Sequence, residues 1–314
     1  MLLFRRSVAS VARSQLSIYR SYATTVGKNS IQHQTPSLEN NQQTESNRLS
    51  KTLTKFWDQV KLSKVQDNLE IQLDSKTVRT PLGHTLSIPS DRKILAYLLL
   101  HEWASLSTLS IKTHSLPLTS LASRVIDLEH ADKTQDLESQ AKVGRREDIV
   151  EDLLRYLDTD TLLVFAPKSE YEGKLRITQE ELYRPVISKI EELLGDDVKL
   201  TWLDTEVGLT GNKQDEKVRE LARQFLLSLD HWDLVALEKV TLSAKSLICG
   251  ILVLKAKSQG EEILNLEEIA KCATLEIVFQ TEKWGEVEDT HDVDYQDIRR
   301  NIASAAILSF REDK

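Results

Sequence analysis

The spacing of apolar residues changes at Pro89, and this change divides the chain into two regions that fold differently. Before Pro89 the apolar residues alternate, as in Leu69, Ile71 and Leu73, which is the period of a half-buried strand. The turn-forming run Asp74-Ser75-Lys76 ends this strand. The pattern therefore predicts a small antiparallel meander, which we assign to a β domain at 51–89.

After Pro89 the apolar period is about 3.6 residues, which is typical of helices with one buried face. The helices predicted in this way are Ile94 to Leu106, Ile149 to Leu157, Glu180 to Leu194, Val218 to Leu229, Leu234 to Leu254, Leu266 to Phe279 and Asp294 to Ser309. The alternating run 198–202 predicts one short strand among them. We therefore expect an α+β fold in which a larger all-helical domain, at 90–314, follows the meander.

Glycine is scarce, with 10 residues in a chain of 314, so little material is available for loops that bind phosphate groups. The run from Gly208 to Lys213 lacks the spacing of a nucleotide-binding P-loop, and no GxSxG nucleophile motif occurs. Cys249 and Cys272 do not have the spacing of a metal site. The sequence therefore predicts neither a cofactor nor a metal.

The N-terminal 38 residues contain five basic residues and no acidic residue. Leu2, Leu3, Val8 and Val11 share one side of a possible helix, and serines and arginines interrupt any longer apolar run. This composition is typical of a mitochondrial transit peptide. We assign the transit peptide to 1–22 and a polar, disordered linker to 23–50.

The remainder of the chain is acidic, with 36 basic and 49 acidic residues after residue 38 and a net charge of −13. A body of this charge repels nucleic acid backbones, so we expect no nucleic-acid partner. The longest apolar run, Leu247 to Leu254, is far shorter than the roughly 20 residues of a membrane-spanning helix. We therefore expect no transmembrane segment.

The run Asp158-Thr159-Asp160-Thr161 has the composition of a phosphotransferase site, in which one aspartate attacks phosphorus and Mg²⁺ bridges the pair. Such a pair normally follows a buried strand, whereas the residues before Asp158 have helical spacing. The pattern favours a helix end that enters a turn.

Two further features contain carboxylates in unusual settings. Glu102 lies beside the apolar stripe of its helix, where a half-buried carboxylate requires a hydrogen-bonding partner or a proton.

The segment 261–297 contains twelve acidic residues against two lysines, and Trp284-Gly285 lies inside it. An aromatic residue surrounded by charge is characteristic of protein-binding surfaces.

The order of several short motifs resembles that of the mitochondrial ATP synthase F(1) complex assembly factor family, which chaperones the alpha subunit. These motifs are Asp74 with Thr80-Pro81, Ile88-Pro89, Glu102-Trp103, the run from Leu157 to Thr161, and the run from Gln280 to Glu288. The resemblance extends from about Phe56 to Phe310. One departure is Tyr183-Arg184-Pro185, where the family pattern has Trp-Asp-Pro.

The resemblance implies a small β domain followed by a helical domain, no enzymatic activity, no cofactor and a location in the mitochondrial matrix, with peripheral association at the inner membrane also open. It implies that the partner is the unassembled alpha subunit of the F(1) sector, held until beta subunits arrive. The residues that match motif positions and are assigned to partner binding are Glu288, Trp284, Glu286, Glu102 and Asp160. Glu288, three residues after the Trp-Gly pair, is expected to be the most sensitive.

Two alternatives remain open from the sequence. The first is a Mg²⁺-dependent matrix hydrolase or phosphotransferase that uses Asp158 and Asp160. The second is an acidic scaffold that joins several matrix partners without protecting any of them from aggregation.

Overall fold

The computed structural model describes residues 55, 57–106, 115–195, 197–208, 212–256, 263–285 and 291–312. The expected transit peptide and linker lie outside these residues. The confirmed fold class is α+β, with a small antiparallel sheet followed by a mostly helical remainder.

The sheet is built around one central strand. Its strands are β1 (Val60–Val65), β2 (Asn68–Leu73), β3 (Lys76–Thr77) and β4 (Ser87–Pro89). β2 pairs with the other three in antiparallel fashion, and Ile71 lies opposite Leu62 while Leu69 lies opposite Ile88. The two-residue connections after β1 and β2 begin at Gln66 and Asp74, whose positive φ angles of 54° and 53° suit tight hairpin turns.

Ten α-helices occur in the described part of the chain. They are α1 (Lys93–Ala104), α2 (Pro117–Thr134), α3 (Leu137–Val143), α4 (Arg146–Leu154), α5 (Lys174–Leu194), α6 (Glu216–Ser228), α7 (His231–Ala244), α8 (Leu247–Lys255), α9 (Leu266–Trp284) and α10 (His291–Ser309). A short parallel pair, β5 (Val164–Phe165) and β6 (Leu203–Asp204), lies among them. None of the helices in this part of the chain is both long and apolar enough to cross a membrane.

A single hydrophobic core extends from the sheet into the helices. α1 packs against β1 and β2, and Trp103 of α1 meets Trp57 edge-on with ring centroids 5.4 Å apart. Farther along the chain, α7 packs against α2, α8 and α10. The division into domains at residue 89 stays a prediction, because the sheet and the helices share this core.

Two local predictions are wrong. The segment Leu234 to Leu254 forms two helices, because Lys245 adopts a left-handed conformation with φ of 52° between α7 and α8. The run 198–202 is not a strand, and β6 begins at Leu203 instead. In the run 198–202, side chains rather than a neighbouring strand accept hydrogen bonds from the backbone. The Glu191 carboxylate accepts from the Leu200 N–H at 2.8 Å, and the Gln214 amide oxygen accepts from the Thr201 N–H at 2.9 Å.

Arg92 joins the segment between β4 and α1 to the end of α10. It is buried just before α1, and its guanidinium donates to the carbonyl oxygens of Leu308 at 2.6 Å and Phe310 at 3.0 Å. Trp232 packs against it, with the guanidinium 4.6 Å from the ring centroid. Burial lowers the pKa of Arg92 to about 10, but the side chain remains charged and binds the free carbonyls at the end of α10.

The most deeply enclosed helix, α8, depends on a carboxylate from another part of the chain. All of its residues from Leu247 to Leu254 are buried. Asp160 is fully buried beside its N-terminus and accepts from the Ile248 N–H at 2.9 Å and from the Leu162 N–H at 3.0 Å. Burial raises the pKa of Asp160 to about 6, although these hydrogen bonds act in the opposite direction.

Gly250 is required where α8 crosses α7. A Cβ at this position would lie 2.6 Å from Thr241 Oγ1 and 2.9 Å from Leu237 Cγ. We expect Gly250→Ala to lower the free energy of unfolding by about 1–2 kcal/mol, because the steric clash exceeds the gain in helix propensity. Gly208→Ala is the matched control, since a Cβ there would meet no atom within 4 Å. Urea denaturation of the two variants tests this, and equal stabilities would contradict it.

Asp160 should make stability depend on pH in a specific direction. The folded pKa of about 6 exceeds that of an aspartate in an unfolded chain, so the folded protein binds the proton more tightly between these values. Acidification from pH 7 to pH 5 should therefore stabilise the wild type by about 1 kcal/mol relative to Asp160→Asn, which cannot titrate there. Parallel urea titrations at both pH values measure this difference, and identical pH profiles would refute the assignment.

Candidate partner-binding surface

Trp284 is exposed at the end of α9. It is the last residue of the helix, and 63% of its surface is accessible. The helix ends there because Gly285 adopts a φ of +83°, a conformation that favours glycine. Glu286 and Glu288, the acids expected to follow it, lie outside the described residues.

Glu102 is directed into the fold. Its carboxylate accepts from the N–H groups of Leu118 at 2.8 Å and Thr119 at 2.9 Å, and from the Thr119 hydroxyl at 2.8 Å. These N–H groups belong to the first turn of α2, which has no capping side chain of its own. Burial raises the pKa of Glu102, and the three hydrogen bonds oppose that shift. Glu102 therefore caps α2 from the neighbouring helix.

Asp158 and Asp160 bind different parts of the chain. Asp158 accepts from the Gln214 N–H at 2.9 Å and from the Arg219 guanidinium at 2.8 Å, whereas Asp160 lies against α8. Both oxygens of each carboxylate are thus engaged within the protein. No group of three or more histidine, cysteine, aspartate or glutamate residues suited to a metal ion is found in the described ranges. The geometry offers no support for a Mg²⁺ site at this pair.

An aromatic patch, which we define as Tyr171, Phe279, Lys283 and Trp284, surrounds the end of α9. The Tyr171 ring meets the Phe279 ring at 5.7 Å and the Trp284 ring at 5.9 Å between centroids, both in edge-to-face geometry. Phe279 and Lys283 are four residues apart and share one face of α9. The Lys283 ammonium lies 4.7 Å from the Tyr171 ring centroid and 5.1 Å from that of Trp284.

A strained turn holds Tyr171 in the patch. Tyr171 and the next residue, Glu172, have φ angles of 47° and 57°, and Gly173 follows with a φ of 76° before α5 begins. Left-handed conformations cost on the order of 1–3 kcal/mol at non-glycine residues, and such strain is concentrated at ligand sites and switches. Sequence reasoning missed Tyr171, which is more than 100 residues from Trp284 and has no local motif.

Charged groups surround the patch. Glu172, Lys174 and Glu282 line the depression between the strained turn and α9, and Lys174 forms an ion pair with Glu172 at 2.8 Å. Burial, Glu276 and Glu170 raise the pKa of Tyr171, so its phenol stays protonated at neutral pH. A second cleft between α7, α9 and α10 is lined by Glu276, Asp294 and Asp297. The end of α9 therefore combines one exposed and two partly buried aromatic rings with carboxylates.

Other exposed aromatic residues have different surroundings. Tyr97 on α1 is 63% accessible, as Trp284 is. Trp202 is less accessible and packs against Phe165 and Arg184. Within the described residues, Trp284 is the sequence-predicted partner residue that combines high exposure with an aromatic cluster, whereas Glu102 and Asp160 act inside the fold.

Comparison with known proteins identifies the family. A family model described as ATP12 chaperone protein matches residues 54–191. Protein ATP12, mitochondrial, of Saccharomyces cerevisiae is 48% identical over 290 residues, which cover 88% of this chain and 89% of that protein. Protein atp12, mitochondrial, of Schizosaccharomyces pombe is 36% identical over 255 residues, which cover 81% of each chain.

The fold also has a solved counterpart. The crystal structure of Atp12 from Paracoccus denitrificans superposes with a TM-score of 0.62 at 22% identity, and the match covers 82% of this chain and 97% of that one. At this identity the likeness concerns the fold, and the sequence relatives carry the assignment. The chain belongs to the ATP12 chaperone protein family.

Proposed function

We propose that this protein is a chaperone for assembly of the F(1) sector of mitochondrial ATP synthase. It binds the unassembled alpha subunit and covers the surface that later contacts beta, which would otherwise aggregate. Membership in a family of chaperones supports the general role, and the order of motifs from Asp74 to Glu288 supports this particular client. The mitochondrial relatives and the basic N-terminal segment support import, and we propose the matrix as the location.

The observation that carries the proposal is the exposure of Trp284 within the aromatic patch. Tryptophan is enriched among the residues that dominate binding energy at protein interfaces, and an indole that is 63% accessible keeps most of its apolar surface available to a partner. Carboxylates lie around it, and the acidic run 261–297 includes Phe279, Lys283 and Trp284 of the patch. The surface is therefore suited to a client with apolar and basic groups side by side.

Two classes of residue follow from this geometry. Trp284, together with Glu286 and Glu288 in the chain just beyond it, is proposed to contact the client directly. Glu102 and Asp160, which cap α2 and α8, are proposed to act by holding the fold. We propose that the protein works without catalysis, cofactor or nucleic acid.

Charge supports capture and release of the client. The region after residue 38 has a net charge of −13, and complementary charge accelerates association and selects partners. Because the client must be transferred to beta subunits, we propose an affinity on the order of micromolar, about −8 kcal/mol. A much tighter complex would oppose release.

The function itself is tested by aggregation of purified alpha subunit, followed by light scattering. The full-length protein is expected to suppress scattering at near-stoichiometric amounts, and addition of beta subunit is expected to release alpha. An unrelated aggregating protein serves as the control client. Absence of protection, or equal protection of both clients, would contradict the proposal.

Glu288→Lys is expected to weaken binding of the alpha subunit about tenfold, or about 1.4 kcal/mol, because it places like charges opposite a basic client. The melting temperature should not change. Glu138→Lys on α3 is the matched control, since it reverses an exposed charge on a helix that packs against α2. If both variants bind alpha as tightly as the wild type, the electrostatic part of the proposal is wrong.

A further inference from the structure

The Lys283 ammonium lies against the rings of both Tyr171 and Trp284. The ammonium lies within 6 Å of both ring centroids, at 4.7 Å and 5.1 Å, which is the range of cation–π attraction. Among the described residues, no carboxylate forms an ion pair with Lys283. Its neighbour Lys174, by contrast, pairs with Glu172 at 2.8 Å. The contacts described for the Lys283 ammonium are therefore aromatic.

The ring pair is built at the edge of the core. Tyr171 and Phe279 pack against the core while remaining partly exposed. Tyr171 lies on consecutive left-handed residues, and Phe279 meets its ring edge-on. Trp284 is placed opposite by the end of α9 at Gly285. Backbone strain on one side and an exposed indole on the other bring the two rings to 5.9 Å between centroids, at an interplanar angle of 64°.

We propose that the Tyr171–Trp284 pair binds an arginine side chain of the client and that Lys283 is displaced when it does so. This inference rests on the proposed function and names the chemistry recognised at its surface. A guanidinium is planar and more weakly hydrated than an ammonium, so it stacks on aromatic rings more favourably. The carboxylates of Glu172 and Glu282, which line the same depression, supply acceptors for its N–H groups.

If Lys283 occupies the site in the free protein, removal of its side chain should raise the affinity for the client. A competitor inside the protein lowers the apparent affinity for the client, so removal of that competitor raises it. A cation–π contact at an exposed site corresponds to about a two- to fivefold change in an equilibrium constant. A lysine that merely contacts the client would show the opposite effect, because its loss would weaken binding.

The test compares the affinities of full-length variants for purified alpha subunit by calorimetry. Lys283→Gln is expected to bind about two- to fivefold more tightly than the wild type, whereas Trp284→Leu and Tyr171→Leu bind more weakly. Lys271→Gln is the control, because it removes the same charge from an exposed position on the same helix, more than three turns before Trp284. If Lys283→Gln binds no more tightly than Lys271→Gln, the proposal is overturned.

A second readout does not depend on alpha. In the free protein, ring currents should shift the Lys283 ε-methylene proton resonances upfield, and this shift should be reduced in Trp284→Leu or Tyr171→Leu and lost when both rings are removed. Addition of N-acetyl-arginine amide should return the resonances towards their ordinary position, whereas the uncharged citrulline analogue should not. Failure of the wild type to bind alpha would refute the proposed function alone, while absence of displacement by the arginine probe would refute the cation site.

Discussion

Complete burial of α8 is the constraint on which the rest of the fold depends. A helix that is apolar on all sides must be enclosed by other elements, and its N-terminal N–H groups then have no access to water. Ser246 accepts from the Cys249 N–H at 3.0 Å, and Asp160 accepts from the Ile248 N–H. Burial of the Asp160 carboxylate costs free energy, and the hydrogen bonds that it accepts offset this cost. The same bonds join the segment after α4 to the N-terminus of α8.

The proposed binding surface rests on this centre. α9 packs against α8 and α5, and its fully buried residues end at Leu275, so the last turns lie at the edge of the core, where Phe279 still packs against it. Phe279, Lys283 and Trp284 lie on those turns, and the strained turn that carries Tyr171 leads directly into α5. A binding surface built on packed helices is held in place before its partner arrives, which reduces the entropy lost on association.

The sequence predicted the fold class and one feature of the surface, and the remaining features depend on tertiary contacts. Apolar spacing located the meander and most helices because each needs only its own period. The break at Lys245 was missed because helical apolar spacing occurs on both sides of it, and the new helix depends on capping by Ser246. Trp284 stood out as an aromatic residue among acids, whereas Tyr171 joins it only through packing between distant segments. Glu102 was singled out as a carboxylate beside an apolar stripe, and Asp160 as a member of an acidic run that matches a family motif. Neither pattern distinguishes a buried helix cap from a binding residue.

The central claim is that the client is held at the end of α9. Its most direct test is photo-crosslinking from a benzoylphenylalanine placed at position 284 of the full-length protein, in complex with purified alpha subunit. Position 97, an equally exposed aromatic site on α1, provides the comparison. The account predicts crosslinks to alpha from position 284 and none from position 97. A stable complex that crosslinks from position 97 but not from position 284 would contradict it.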